Sequence, residues 1–259
     1  MKIKFCRNCK NSKFLNLLSL GKMSFTGKFS QSFFHNVPST HINLLMCKKC
    51  KLVQLDRNFS SKFLYGKDTL TYVSALKISN DELKCEIGNE EVKKINTSRE
   101  NIKNVLKSNQ MIYGINTGFG ALCNTIISKK DSNLLQENLL KSHAVGVGPN
   151  VPTEVSKLML IIKVHSLCMG FSGIRFAVIQ RICWHIENDI IPIVPSQGSV
   201  GASGDLAPLA HLFLPLIGEG KILYKGKELE TNKVLRKEKK LPFSLKEKEG
   251  LALINGTQF

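Results

Sequence analysis

Two groups of residues in this chain have types and spacings that could do chemistry. The first is Cys6-Arg-Asn-Cys9 together with Cys47-Lys-Lys-Cys50. Each pair can present two sulfurs to one ion, and four thiolates at about 2.3 Å close a tetrahedral zinc site with no open position. One structural zinc is therefore expected on Cys6, Cys9, Cys47 and Cys50, with Arg7, Lys10, Lys48 and Lys49 favouring the deprotonated sulfurs. The 37 residues between the pairs exceed the gap of a simple zinc ribbon, and four unliganded thiols are the alternative. Cys85, Cys123, Cys168 and Cys183 occur singly and read as packing residues.

The second group is Ala202-Ser203-Gly204, inside Gln197-Gly-Ser-Val-Gly-Ala-Ser-Gly-Asp205. The segment lacks the Gly-Lys-Ser/Thr ending of a phosphate loop. It suits cyclisation instead. The unhindered amide nitrogen of Gly204 can attack the carbonyl carbon of Ala202, and loss of two waters, one carrying the Ser203 hydroxyl, leaves a ring with an exocyclic methylidene. That product is an electrophile no unmodified side chain supplies. Two more segments are dense in glycine, Tyr113-Gly-Ile-Asn-Thr-Gly-Phe-Gly120 and Ser142-His143-Ala-Val-Gly-Val-Gly148. Both ask for unusual φ or close backbone approach.

Helices must position these loops. Residues 90–110 repeat apolar side chains at Val92, Ile95, Ile102 and Val105; 131–145 and 174–188 also read as helix. Thr153 is expected to N-cap a helix with Glu154 in its first turn and Leu158, Ile161, Ile162 and Leu167 inside. Residues 223–229 signal a hairpin with a Lys-Gly turn, and Ser244-Leu-Lys-Glu247 a capping box before a last apolar helix. His165, His185 and His211 read as structural, and Asp205 as a residue that fixes its loop.

Composition removes other classes. The 259 residues are 42% hydrophobic and 22% charged, a globular balance with room for about two domains. No apolar run reaches the roughly 18 residues of a membrane span, and no apolar stretch follows the basic start, so a cytoplasmic chain with reduced thiols and no membrane partner is expected. Charge is uneven: residues 1–75 hold 13 Lys/Arg against two acids. Without interleaved aromatics or a recognition-helix pattern, that excess reads as a domain boundary near 65–75 rather than a nucleic-acid surface.

The motifs YGINTGFG, NLLKSHAVGVG, PSQGSVGASGDLAPLAHL, LIGEG and EGLALINGTQ, in this order over residues 70–259, resemble the aromatic amino acid lyase family. Ser142-His143 and the Thr-Gln of NGTQ resemble its histidine ammonia-lyase branch. The run CRNC…LSLGKMSFTGKF…INLLMCKKCKLVQLDRNFSSKFLYG is similar to the zinc-binding domain ahead of certain sugar C-methyltransferases, without their S-adenosylmethionine domain. The resemblances imply a mainly α chain. A small β-rich zinc module (1–67) precedes the N-terminal half of a lyase α-helical fold (70–259).

They imply further that Ala202, Ser203 and Gly204 form 4-methylideneimidazol-5-one, that Tyr113 is the base, that Asn255 approaches electrophile and substrate, and that His143 binds the substrate ring. A phenol near its ordinary pKa of about 10 is mostly neutral at pH 7, so that base needs help from its site. L-Histidine would give urocanate and ammonia; tyrosine or phenylalanine as substrate, or a non-catalytic zinc-binding fragment, are the alternatives. Family members are homotetramers whose sites draw on three subunits. They continue well past the position of Phe259, where a second tyrosine, an arginine and a glutamate complete the site.

Overall fold

The computed structural model describes residues 4–6, 8–24, 39–55, 62–108, 111–120, 123–199 and 206–256. The chain divides into two compact units, Met1–Phe63 and Leu64–Phe259.

In the first unit β1 (Phe14–Ser24), β2 (Ser39–Cys47) and β3 (Val53–Leu55) form an antiparallel sheet in the order β1-β2-β3. Phe14 faces Cys47 and Leu44 faces Leu55. The long gap between the cysteine pairs is thus occupied by two paired strands, which return the second pair to the first.

The second unit is helical. After β4 (Lys62–Leu64), which crosses the boundary, come α1 (Tyr72–Ser79), β5 (Lys84–Glu86), α2 (Asn89–Lys107) and α3 (Lys129–His143). Next are β6 (Val147–Asn150), α4 (Thr153–Cys168), α5 (Phe176–Glu187), β7 (Ile191–Pro192), β8 (Pro195–Gln197) and α6 (Leu206–Phe213). The described chain ends with β9 (Lys221–Tyr224), β10 (Lys227–Glu230), α7 (Thr231–Lys237) and α8 (Glu249–Ile254). The β9–β10 hairpin turns on Lys225 (φ 51°) and Gly226 (φ 74°), the double left-handed geometry that a Lys-Gly turn supplies.

Packing centres on α4, which is buried on most of its circumference. Leu160, Ile161, Val164 and Leu167 meet Val178, Ile179 and Ile182 of α5 in the core. Four polar residues of α4, Ser156, Lys157, Lys163 and His165, are buried with them, while the expected core positions Leu158 and Ile162 are half-buried.

Two helix starts differ from the sequence reading. Thr153 is the first helical residue, and Pro152 takes the cap position because its carbonyl receives Val155 and Ser156 N–H. The expected Ser244–Glu247 capping box does not form. The buried guanidinium of Arg99 claims the Glu247 carboxylate, donating from Nη2 at 2.9 Å, and Arg175 Nη2 donates to the Ser244 carbonyl at 2.8 Å. α8 starts after Lys248, whose backbone is left-handed (φ 67°).

Candidate metal centre and lyase site

The two cysteine pairs sit in matching turns. Cys6 N–H donates to Asn11 carbonyl and Lys10 N–H returns to Cys6 carbonyl; Cys47 N–H donates to Leu52 carbonyl and Lys51 N–H returns to Cys47 carbonyl. Lys10 (φ 58°) and Lys51 (φ 60°) occupy the equivalent left-handed position. Lys48 N–H donates to Lys13 carbonyl at 3.0 Å, joining the turns.

The result is a cluster of four sulfurs all within 4.8 Å of one another, with Cys6–Cys50 and Cys9–Cys47 at 3.5 Å. Sulfurs bound tetrahedrally at 2.3 Å would stand about 3.8 Å apart, so the donor set fits zinc. Its electrostatics agree. The Cys47 thiol is held down to about 6, first by the Cys50 amide and also by Asn11, whose amide nitrogen lies 3.6 Å from the sulfur. Cys50 is lowered by the Leu52 amide. At Cys9 the Asn11 amide pulls the thiol down, but burial and three sulfur neighbours push it up to about 11. Such a set holds its sulfurs together at neutral pH most readily around a cation.

In the helical unit the tripeptide Ala202-Ser203-Gly204, expected to cyclise, lies with Asp205 outside the described residues. Its flanks are defined: β8 ends at Gln197 and α6 begins at Leu206. β8 pairs with β6, Val147 facing Gln197. Gly198 (φ 139°) approaches Gly146 so closely that a Cβ there would lie 2.9 Å from Gly146 Cα. Gly146 N–H donates to His211 Nε2 of α6 at 2.9 Å. His211 is therefore neutral with its proton on Nδ1, and burial lowers its pKa. Gly146, Gly148 and Gly198 let the segment after His143 and the end of β8 lie backbone against backbone.

His143 ends α3. Its Nδ1 lies 2.8 Å from the Leu139 carbonyl, which can only accept, so Nδ1 donates to it and Nε2 is left for another partner. Ser142 Oγ lies 3.1 Å from the same nitrogen. Tyr113 stands in a turn fixed by Ile112 N–H to Asn116 Oδ1 (2.8 Å) and Gly114 N–H to Thr117 Oγ1 (3.3 Å). Its ring is 58% exposed and meets Phe119 edge-on at 5.8 Å. Asn255, also exposed, caps the C-terminus of α8.

α8 links these positions. A Cβ on Gly114 would lie 2.5 Å from Leu251, so the Tyr113 turn abuts α8 one turn before Asn255. Gln136 of α3 accepts Leu251 N–H through Oε1 at 3.2 Å, and its backbone crowds Gly250. No hydrogen bond joins the side chains of Tyr113, His143 and Asn255 among the described residues. A cavity of about 340 Å³ lined by Tyr65, Cys85, Glu86 and Cys183 shares none of them.

Sequence reasoning missed the polar groups that hold α8. The Glu249 carboxylate, fully buried, accepts Arg175 Nε and Nη2 at 2.7 Å each and Lys246 N–H at 2.8 Å. Lys163, 2% exposed, donates to the Asn255 carbonyl at 2.8 Å, and burial lowers its pKa to about 7. The signal for Lys163 was a lone lysine inside the apolar run Leu158–Val164.

Residues 70–259 match the family model described as aromatic amino acid lyase. The chain belongs to the aromatic amino acid lyase family. A second model, whose description proposes a zinc binding domain, matches residues 6–65. The lyase segment is 44% identical over 179 residues to the histidine ammonia-lyase of Staphylococcus saprophyticus, covering 69% of this chain and 36% of that protein. It is 44% identical over 198 residues to that of Shewanella sediminis, covering 76% and 39%. Among solved structures it is similar to histidine ammonia-lyase from Trypanosoma cruzi (TM-score 0.68, 36% identity, 76% of this chain and 38% of that one). It is also similar to the tyrosine aminomutase of Streptomyces globisporus (TM-score 0.69, 33% identity, 76% and 37%). The chain thus spans under two-fifths of the length of these relatives, and its helical unit has the mainly α lyase fold.

Proposed function

We propose that the helical unit carries the electrophile-bearing part of a histidine ammonia-lyase, which converts L-histidine to urocanate and ammonia. The 4-methylideneimidazol-5-one expected from Ala202, Ser203 and Gly204 would supply an electrophilic carbon that takes up the substrate's amine and makes it a better leaving group. The chain's own residues would do the rest. Tyr113 would act as the phenolate: with its own hydroxyl proton given up to solvent, its oxygen takes a proton from the substrate's β-carbon as the Cα–N bond breaks and the double bond forms. Asn255 offers an amide that neither gains nor loses charge, suited to holding polar groups beside the electrophile.

The observation that carries the histidine assignment is the 2.8 Å contact of His143 Nδ1 with the Leu139 carbonyl. With Nδ1–H committed to the Leu139 carbonyl, Nε2 is an acceptor for the substrate's imidazole N–H. Phenylalanine has no such donor, and an unpaired polar group would be left in its place. The similarity to proteins named histidine ammonia-lyase favours the same substrate.

We read the chain as two modules, a structural zinc module over residues 1–67 and a lyase segment over 70–259, acting as a homotetramer in the cytoplasm. The test is the appearance of urocanate absorbance when the assembled protein meets L-histidine, run beside L-tyrosine and L-phenylalanine. Faster turnover of either of the other two would transfer the assignment to that substrate. Turnover of none would remove it from this chain.

A further inference from the structure

We propose that Lys163 is a positioning residue: from the core of α4 its ammonium holds the backbone carbonyl of Asn255 at the end of α8, and so fixes where the Asn255 amide stands. The inference rests on the reading of Asn255 as a residue of the lyase site.

The argument begins with α8 itself. It has six residues, too few to be stable alone, and its position must come from its ends and its neighbours. At its first residue Glu249 is fully buried and held by Arg175. A negative charge there complements the helix dipole. At the far end the last carbonyls lack helical partners, and a cation is the complementary group. Lys163 supplies an N–H donor from another helix, at 2.8 Å from the Asn255 carbonyl.

Asn255 is consequently tied at both of its backbone polar groups. Its N–H donates to Leu251 carbonyl at 3.0 Å, and its carbonyl accepts Lys163 Nζ at 2.8 Å. Only the side-chain torsions stay free, and that side chain is exposed. A lysine stem packed to 2% exposure cannot wander, so the anchor is rigid. Burying an ammonium is costly unless it is hydrogen-bonded, and an apolar residue would otherwise fit the surrounding core of Leu160, Val164 and Leu167 better. A lysine placed there marks a demand for a donor at the end of α8.

The test replaces the donor and reads two things in the full chain: hydrogen exchange over residues 249–256, and kcat and KM for L-histidine. Lys163→Met should speed exchange across 249–256 at least tenfold. It should also lower kcat by about 10–100-fold with little change in KM, the signature of a misplaced group near the reacting atoms. Lys163→Arg, which keeps a donor, should restore both. Exchange in Lys163→Met equal to that of the parent protein overturns the proposal. If Lys163→Met does not fold, a folded Lys163→Arg decides: parent-like exchange supports the anchor, and loss of protection confined to 249–256 overturns it. Asn255→Ala separates the two ideas. Unchanged turnover there removes Asn255 from the site, while the exchange data still judge the anchor; if the parent chain has no turnover, exchange alone decides.

Discussion

Gly198 and Gly146 meet with no side chain between them: a methyl group on Gly198 would stand 2.9 Å from Gly146 Cα. This contact joins the loop after His143 to the end of β8, which leads toward Ala202-Ser203-Gly204. Gly198→Ala must push the loops apart and place a side chain at φ 139°, a region almost reserved for glycine. Loss of about 1–3 kcal/mol in urea unfolding is expected. If Ala202, Ser203 and Gly204 cyclise, the parent should be lighter than its sequence mass by two waters, about 36 Da, and Gly198→Ala should reduce the fraction showing that deficit. A full deficit in the variant would mean that the Gly146–Gly198 contact does not shape the ring precursor.

The zinc module yields a metal prediction. One zinc per chain should be found by elemental analysis, and Cys47→Ser should abolish it. Thiolate ligands compete with protons, so affinity must fall with acid. Cys47, held down to about 6, keeps its thiolate into mildly acidic solution and protonates below that value. Zinc should therefore be retained at pH 7 and released progressively as the solution is acidified. Removal by a chelator should expose residues 4–55 to protease and spare the helical unit. Equal protection of the first unit with and without metal would leave the four sulfurs as ordinary thiols.

Much of this architecture was legible in the sequence because it is local. The apolar rhythm at Ile95 and Ile102 marked α2, and the Lys225-Gly226 turn marked the β9–β10 hairpin, since each depends on neighbours a few residues away. The cysteine spacing identified a candidate metal set, and the resemblance implied a β-rich module around it, but neither said which residues of the 37-residue gap pair as strands. The misses were long-range. The Ser244–Glu247 box looked sound until Arg99, 148 residues from Glu247, claimed its carboxylate. Lys163 and Asn255 are 92 residues apart, and no spacing rule connects a lysine in an apolar helix to a carbonyl at another helix's end. Motif resemblance named Tyr113, His143 and Asn255. Only coordinates could show how α8 ties their elements together.

His185 makes acid stability a measurable quantity. Its Nδ1 donates to the Ile190 carbonyl at 2.9 Å, and no partner reaches its buried Nε2 among the described residues. Burial lowers its pKa from 6.5 to about 4, with the Ile190 bond opposing and Arg181 assisting. The unfolded chain then binds a proton between pH 6.5 and 4 that the folded chain refuses. The stabilisation is present above pH 6.5 and is lost as pH falls toward 4, amounting to about 3 kcal/mol. His185→Asn, which keeps a donor near the Nδ1 position, should flatten the fall of unfolding free energy over that interval. Parallel pH profiles for the two proteins would assign the acid sensitivity to other groups.

His143 should govern which ring the site accepts. Its Nδ1–H is anchored to Leu139, so the imidazole is presented to substrate through Nε2 as an acceptor. His143→Phe removes that acceptor at similar bulk and should lower kcat/KM for L-histidine by 100-fold or more, on the order of the cost of leaving a buried N–H unpaired. Turnover of L-phenylalanine, which offers no N–H, should hold or rise. His143→Gln, with an acceptor oxygen near the position of Nε2, should recover part of the histidine activity. Comparing the three amino acids on the parent and both variants gives the answer. Equal losses for all three substrates would show that His143 serves the loop's architecture and not ring recognition.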